Sequence, residues 1–125
     1  MPKVVINTCY GGFRASRRAH ERYAELIGKK LFVIPDPKYK AYIEYYSFED
    51  LTYEEFVKDM KAYELDLNVM DRSNPLLVQV VEELGSGASV KTSDLEIVEI
   101  PDDVDWEIQE YDGKEWVSEK HRTWR

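Results

Sequence analysis

A double glycine, Gly11-Gly12, stands between an apolar run and the basic stretch Arg14-Ala15-Ser16-Arg17-Arg18. Residues of these types in this order suit anion binding. A strand that turns on glycines into a helix leaves unpaired backbone N–H groups at the helix start, where an anion can approach them. Arg14, Arg17 and Arg18, with Arg22 one turn on, add four guanidinium groups to the same stretch. Cations beside the positive pole of a helix are unfavourable by themselves. A compensating negative group is therefore expected, either a bound phosphate or carboxylates of the chain itself. The loop is neither a Walker A loop, since no Gly-Lys-Ser/Thr follows, nor a dinucleotide fingerprint, since the third glycine is missing. Relief of a tight turn is the competing explanation of the glycine pair.

Other candidates carry weaker chemistry. Cys9 can act as a nucleophile activated by the helix pole, but no paired base is evident and a small buried apolar role is favoured. His20 borders the buried stripe of its helix, where a hydrogen-bonded structural histidine is expected. Tyr39, Tyr42, Tyr45, Tyr46 and Phe48 suit base stacking, with core packing or an interface preferred. The terminal Lys120-His121-Arg122-Thr123-Trp124-Arg125 joins a tryptophan to three cations. One reading docks Trp124 on the core; another brings His121 and Arg122 to the pocket of the first-helix arginines. His121 and Arg122 also suit acid/base work and phosphate clamping in a phosphodiesterase, for which a second catalytic group is missing.

The totals narrow the function classes. A chain of 125 residues with net charge −8 is one domain, 1–125, large enough for a core without disulfides. The acidity disfavours DNA, RNA and anionic membranes, all of which reward clustered Lys and Arg. One cysteine and two histidines leave no disulfide framework and no thiolate cage. The acidic residues follow no calcium-loop spacing. No metal and no cofactor are expected. Without a spanning apolar run or a signal sequence at Met1-Pro2-Lys3, a cytoplasmic protein is expected.

The elements that must position these residues read as an α/β (α+β) domain: a mixed β-sheet, about three helices and a C-terminal β-hairpin. Lys3 to Thr8 is a buried strand. A helix capped by Ser16 follows, with Ala19, Tyr23, Leu26 and Ile27 as its stripe, and then a strand from Leu31 to Ile34. That order predicts a parallel right-handed crossover. A third strand runs from Ala41 to Tyr46. Thr52-Tyr53-Glu54-Glu55 is a capping box opening a helix with Tyr53, Phe56, Val57, Met60 and Tyr63 on one face. Asn74-Pro75 opens a third, buried helix that Gly85 ends. Leu95 to Ile100 is a strand. Asp112-Gly113 turns a hairpin that sets Ile108 opposite Val117 and Asp105 opposite Lys120.

Three segments resemble a family of small, largely uncharacterised proteins of tailed bacteriophages: Val4 to Phe13 (VVINTCYGGF), Asn74 to Gly85 (NPLLVQVVEELG) and Tyr111 to Trp124 (YDGKEWVSEKHRTW). The resemblance implies a phage accessory protein acting in the host cell cytoplasm, of a type that counters host defence. Family members usually continue the double glycine with another glycine and a Leu-Ser cap, where this chain has Arg14-Ala15-Ser16.

Together these readings lead to a non-catalytic protein, expected to be a homo-oligomer, that sequesters a phosphate-bearing nucleotide immune signal. The ligand class is a cyclic dinucleotide or an ADP-ribose type molecule. The expected binding residues are Tyr10, Gly11, Gly12, Arg14, Arg17, Arg18, His121, Arg122 and Trp124. The alternatives are a phosphodiesterase that cleaves such a signal and a protein–protein inhibitor of a host factor.

Overall fold

The computed structural model describes residues 2–38 and 44–119. Strand β1 (Lys3–Asn7) is its centre, with Val4 and Val5 fully buried. Successive side chains of a strand point to opposite faces, and both faces of β1 are covered. Val5 joins the larger core, built from Ala15, Ala19, Leu65, Leu67, Leu77, Val80 and Val81 among others. Val4 and Ile6 join a smaller one with Ile100, against which Val98, Trp106, Ile108 and Val117 pack. An uninterrupted apolar run is what a strand buried on two faces requires.

Helices α1 (Arg17–Leu26) and α4 (Pro75–Leu84) cover the first face. Ser16 caps α1, its Oγ accepting the Ala19 N–H at 3.1 Å. The helix ends in a Schellman motif, with the Lys29 N–H bonded to the Ala24 carbonyl and the Gly28 N–H to Glu25. Gly28 takes the left-handed φ of +71° that this ending needs. In α4, the Asn74 Oδ1 accepts the Leu76 and Leu77 N–H groups, Pro75 follows, and Gly85 closes the helix. The start and stop signals of both helices lie where the sequence places them.

Along its length β1 pairs antiparallel with β4 (Leu95–Glu99), Val5 facing Ile97. Strands β5 (Trp106–Tyr111) and β6 (Lys114–Glu119) form the expected hairpin, with Ile108 opposite Val117. Lys120, the expected partner of Asp105, lies outside the described residues. The α+β class therefore holds, with antiparallel pairing throughout the described strands.

The parallel crossover does not form. Strand β2 (Phe32–Pro35) pairs antiparallel with β3 (Glu44–Ser47), Val33 opposite Tyr46, and not with β1. The other edge of β1 is already engaged: the Val5 N–H donates to the Arg72 carbonyl at 2.9 Å. The Asn7 N–H donates to the Glu115 carboxylate at 2.9 Å. A short connection from β2 to β3 makes the local pairing the cheaper closure.

A second correction concerns the capping-box helix. Both halves of the box are present at Thr52 and Glu55, but α2 (Tyr53–Lys58) stops at Asp59. The Asp59 carboxylate accepts the Ala62 N–H and starts the single turn α3 (Met60–Tyr63). A short acidic side chain that captures a backbone N–H competes with helix continuation. The expected common face is thereby split, with Phe56 buried and Val57 41% exposed.

Candidate functional site

The double glycine is positioned by close backbone approach. A Cβ on Gly11 would lie 1.9 Å from the Thr92 carbonyl oxygen. Gly12 adopts φ +87°. Across from them, a Cβ on Gly113 would lie 2.4 Å from the Tyr10 carbonyl oxygen and 2.5 Å from the Gly12 nitrogen. The Asp112-Gly113 turn, positive in φ at both residues, is thus pressed onto the Tyr10–Gly12 backbone. Only glycine fits that contact.

Asn7 ties the two segments together. Its Nδ2 donates to the Cys9 carbonyl at 2.7 Å and to the Gly113 carbonyl at 2.8 Å. Its Oδ1 accepts the Asp94 N–H at 2.9 Å and the Cys9 N–H at 3.3 Å. Behind it, Glu115 Oε1 accepts the Asn7 N–H and the Arg72 guanidinium, the latter at 2.5 Å. That guanidinium lies 3.6 Å above the Phe13 ring. No buried side-chain nitrogen or oxygen among the described residues lacks a hydrogen-bond partner, and these bonds lock the hairpin onto the N-terminal loop.

The lock builds a groove. Tyr10 from the loop meets Tyr111, Lys114 and Trp116 from the hairpin around a concavity of about 410 Å³. Tyr111 pairs with Lys114 and Gln109 with Trp116, so Tyr111, Lys114 and Trp116 share the outer face of the hairpin. The opposite face carries Ile108 and Val117 into the smaller core. Tyr10, Tyr111 and Trp116 remain 59%, 71% and 44% exposed. The Lys114 ammonium stands 5.5 Å from the centre of the Tyr10 ring. Chemically, the groove offers flat π-faces and one cation.

The first-helix arginines are engaged elsewhere. Arg17 grips Glu44 with two bonds of 2.9 and 2.7 Å. Arg18 bonds Glu25 at 2.9 Å, and Arg22 bonds Glu83 at 2.6 Å. Partial burial pushes the Glu44 carboxyl up, but hydrogen bonds from Arg17 and Tyr46 together hold it below its ordinary range. None of these partners lines the Tyr10 groove. The carbonyls of Ala88 and Gly87 accept the Ser16 N–H and hydroxyl beside the helix start. Carboxylates of the chain thus compensate the basic turn. Arg14 is exposed and makes no ion pair among the described residues.

His20 is a core residue, 1% exposed. Its Nδ1 lies 2.8 Å from the Ser16 carbonyl, and Nε2 accepts the Leu67 N–H at 3.2 Å. Those contacts select the neutral Nδ1–H tautomer. The ring stacks on Tyr46 at 4.2 Å. Cys9 is half-buried, and its backbone groups bond Asn7. Tyr45 packs against Phe56 and Tyr53. Tyr39, Tyr42, His121, Arg122 and Trp124 lie outside the described residues.

Among the described residues no cluster of three or more His, Cys, Asp or Glu side chains is placed to hold a metal. No described helix is long and apolar enough to cross a membrane. Compared with protein-family models, curated proteins and solved structures, the chain matches none of them.

Asn7, Arg72, Tyr111, Lys114, Glu115 and Trp116 enter the site without having been singled out from the sequence. The Asp112-Gly113 turn carried the signal for three of them, since its register places Tyr111, Lys114 and Trp116 on one face. Arg72 and Glu115 are 43 residues apart and carry no local signature.

Proposed function

We propose that this protein is a non-catalytic binding protein that captures a nucleotide-derived small molecule on the Tyr10, Tyr111 and Trp116 groove. The supporting observation is the joint exposure of three large aromatic rings around one concavity beside a lysine. Exposing such rings together contributes nothing to folding, since their area stabilises only when removed from water. A base stacked on one of them gains about 1–3 kcal/mol. The Lys114 ammonium supplies the charge for a phosphate, and Arg14 is a further exposed cation. Arg17 and Arg18 would first have to release Glu44 and Glu25. With a net charge of −8 the long-range field repels polyanions. Phosphodiesters, with one charge per phosphate, are therefore better guests than terminal polyphosphates.

The resemblance to tailed-phage proteins supplies the biological reading: sequestration of a cyclic dinucleotide or ADP-ribose type immune signal in the host cell. Calorimetric titration with cyclic dinucleotides and cyclic ADP-ribose isomers tests it. Saturable heat is expected, with affinity that Trp116→Ala weakens, and the ligand is recovered intact after the protein is denatured. Hydrolysed ligand in that recovery would establish the phosphodiesterase alternative. Absence of heat with every member of the panel rejects the nucleotide reading.

A further inference from the structure

A second concavity, independent of the aromatic groove, lies between α3 and the segment that leaves it. It encloses about 390 Å³ and is lined by Met60, Leu65, Val69 and Met70, with Lys61, Glu64 and Asp66 at its border. Val69 is 82% exposed, the most of any large hydrophobic side chain described. It is held there by a fixed turn. The Asp66 carboxylate accepts the Asn68 N–H at 2.9 Å, and the neighbouring Leu67 is fully buried with its N–H on His20. On its other side the Met70 N–H bonds the Leu67 carbonyl at 3.3 Å, so Val69 is presented to solvent on an anchored turn.

The rim has an unmet electrostatic need. Elsewhere the chain matches carboxylates withdrawn from water with cations, as at the half-buried Glu44 by Arg17 and the buried Glu115 by Arg72. The half-buried Glu64 side chain has neither hydrogen bond nor ion pair among the described residues. Burial, and then the Asp66 charge, raise its carboxyl above the ordinary range. A neighbouring cation would oppose both effects by favouring the charged form. Methionine side chains reshape around different apolar partners, and methionine-lined grooves are used to accept amphipathic helices.

We infer that this groove docks a basic amphipathic segment of a partner protein, its apolar stripe covering Val69, Met60 and Met70 and its Lys or Arg side chains meeting Glu64 and Asp66. Two carboxylates against the single Lys61 leave the groove net acidic, which favours a cationic occupant. A second copy of this chain, with net charge −8, is the poorer fit.

Titration of the full chain with two synthetic helices of about 14 residues, four turns, tests the inference. One has leucines at i, i+3, i+4 spacing with lysines elsewhere, and the other has glutamates in place of lysines. The lysine helix is expected to bind with micromolar affinity and the glutamate helix not at all. Val69→Ser should weaken binding about 5–10-fold and Glu64→Gln about threefold. Glu54→Gln, on exposed α2, should leave it unchanged. Circular dichroism confirms that each variant is folded. Failure of the lysine helix to bind overturns the inference. So does binding that Val69→Ser and Glu64→Gln leave within about twofold of the parent, which marks non-specific attraction to an acidic surface.

Discussion

Arg72 holds Glu115 at 2.5 Å, and the same carboxylate oxygen accepts the Asn7 N–H from β1. This pair joins the loop before α4 to the hairpin and fixes the hairpin on the central strand. Removing one partner of a largely buried ion pair costs about 3–5 kcal/mol, because the other charge is left uncompensated. Arg72 keeps 20% of its side chain exposed, so about 2–3 kcal/mol is the better expectation for Arg72→Met. Glu115→Gln retains an acceptor for the Asn7 N–H and should cost less. Urea unfolding midpoints check the order, and a larger loss for Glu115→Gln contradicts it.

The glycines separate two physical effects that usually come together. Gly12→Ala meets no atom within 4 Å but must hold φ +87°, so it should cost about 1–2 kcal/mol. Gly11→Ala has no positive φ but would drive a methyl carbon to 1.9 Å from the Thr92 carbonyl oxygen. Backbone must move, and a larger loss is expected. Gly113→Ala combines both problems and should release the hairpin turn from Tyr10. Thermal unfolding of the three variants decides this; Gly11→Ala as mild as Gly12→Ala would show that the Thr92 loop yields freely.

His20 predicts a pH dependence with a definite sign. Burial lowers its pKa in the folded chain, the Ser16 carbonyl opposing. The unfolded chain therefore takes up the proton first as pH falls. Stability is full above the unfolded value of about 6.5 and declines below it until the folded pKa is reached. The depressed carboxyls Glu44 and Glu83 add losses only at lower pH, as it falls from their unfolded range through their folded values. Urea unfolding between pH 7.5 and 5 should thus show a slope that His20→Gln largely removes. An equal slope in the variant would place the titrating group elsewhere.

Local chemistry made much of this fold readable. Ser16, Thr52 with Glu55, Asn74 with Pro75, Gly28 and Gly85 act within four residues of themselves, and each sits where its chemistry predicts. The β2 pairing was not readable in this way, because which edge of β1 stays free is settled by Arg72 and Glu115, far away in the chain. Tyr10, Gly11 and Gly12 stand out in the sequence as an unusual cluster, where an anion site and a tight turn are both open. The glycines admit the Gly113 turn, and the arginines beyond them are held by Glu44, Glu25 and Glu83. A sequence shows that cations need partners; it does not show which carboxylates arrive.

That distinction yields a direct test of where a ligand sits. If the aromatic groove is the site, Arg17→Ala and Arg18→Ala should change affinity for a bound nucleotide less than about twofold. Trp116→Ala should weaken it about 5–150-fold, the equivalent of one stacked base. Lys114→Ala should weaken phosphate-bearing ligands more than the corresponding nucleosides, and added salt should erase that difference. Loss of affinity on Arg17→Ala with Trp116→Ala silent would reverse the assignment. It would mean that the ligand displaces Glu44 from Arg17 and occupies the helix start. Arg17→Ala alone should cost under about 1 kcal/mol of stability, since its side chain is 52% exposed, so its binding phenotype can be read without unfolding.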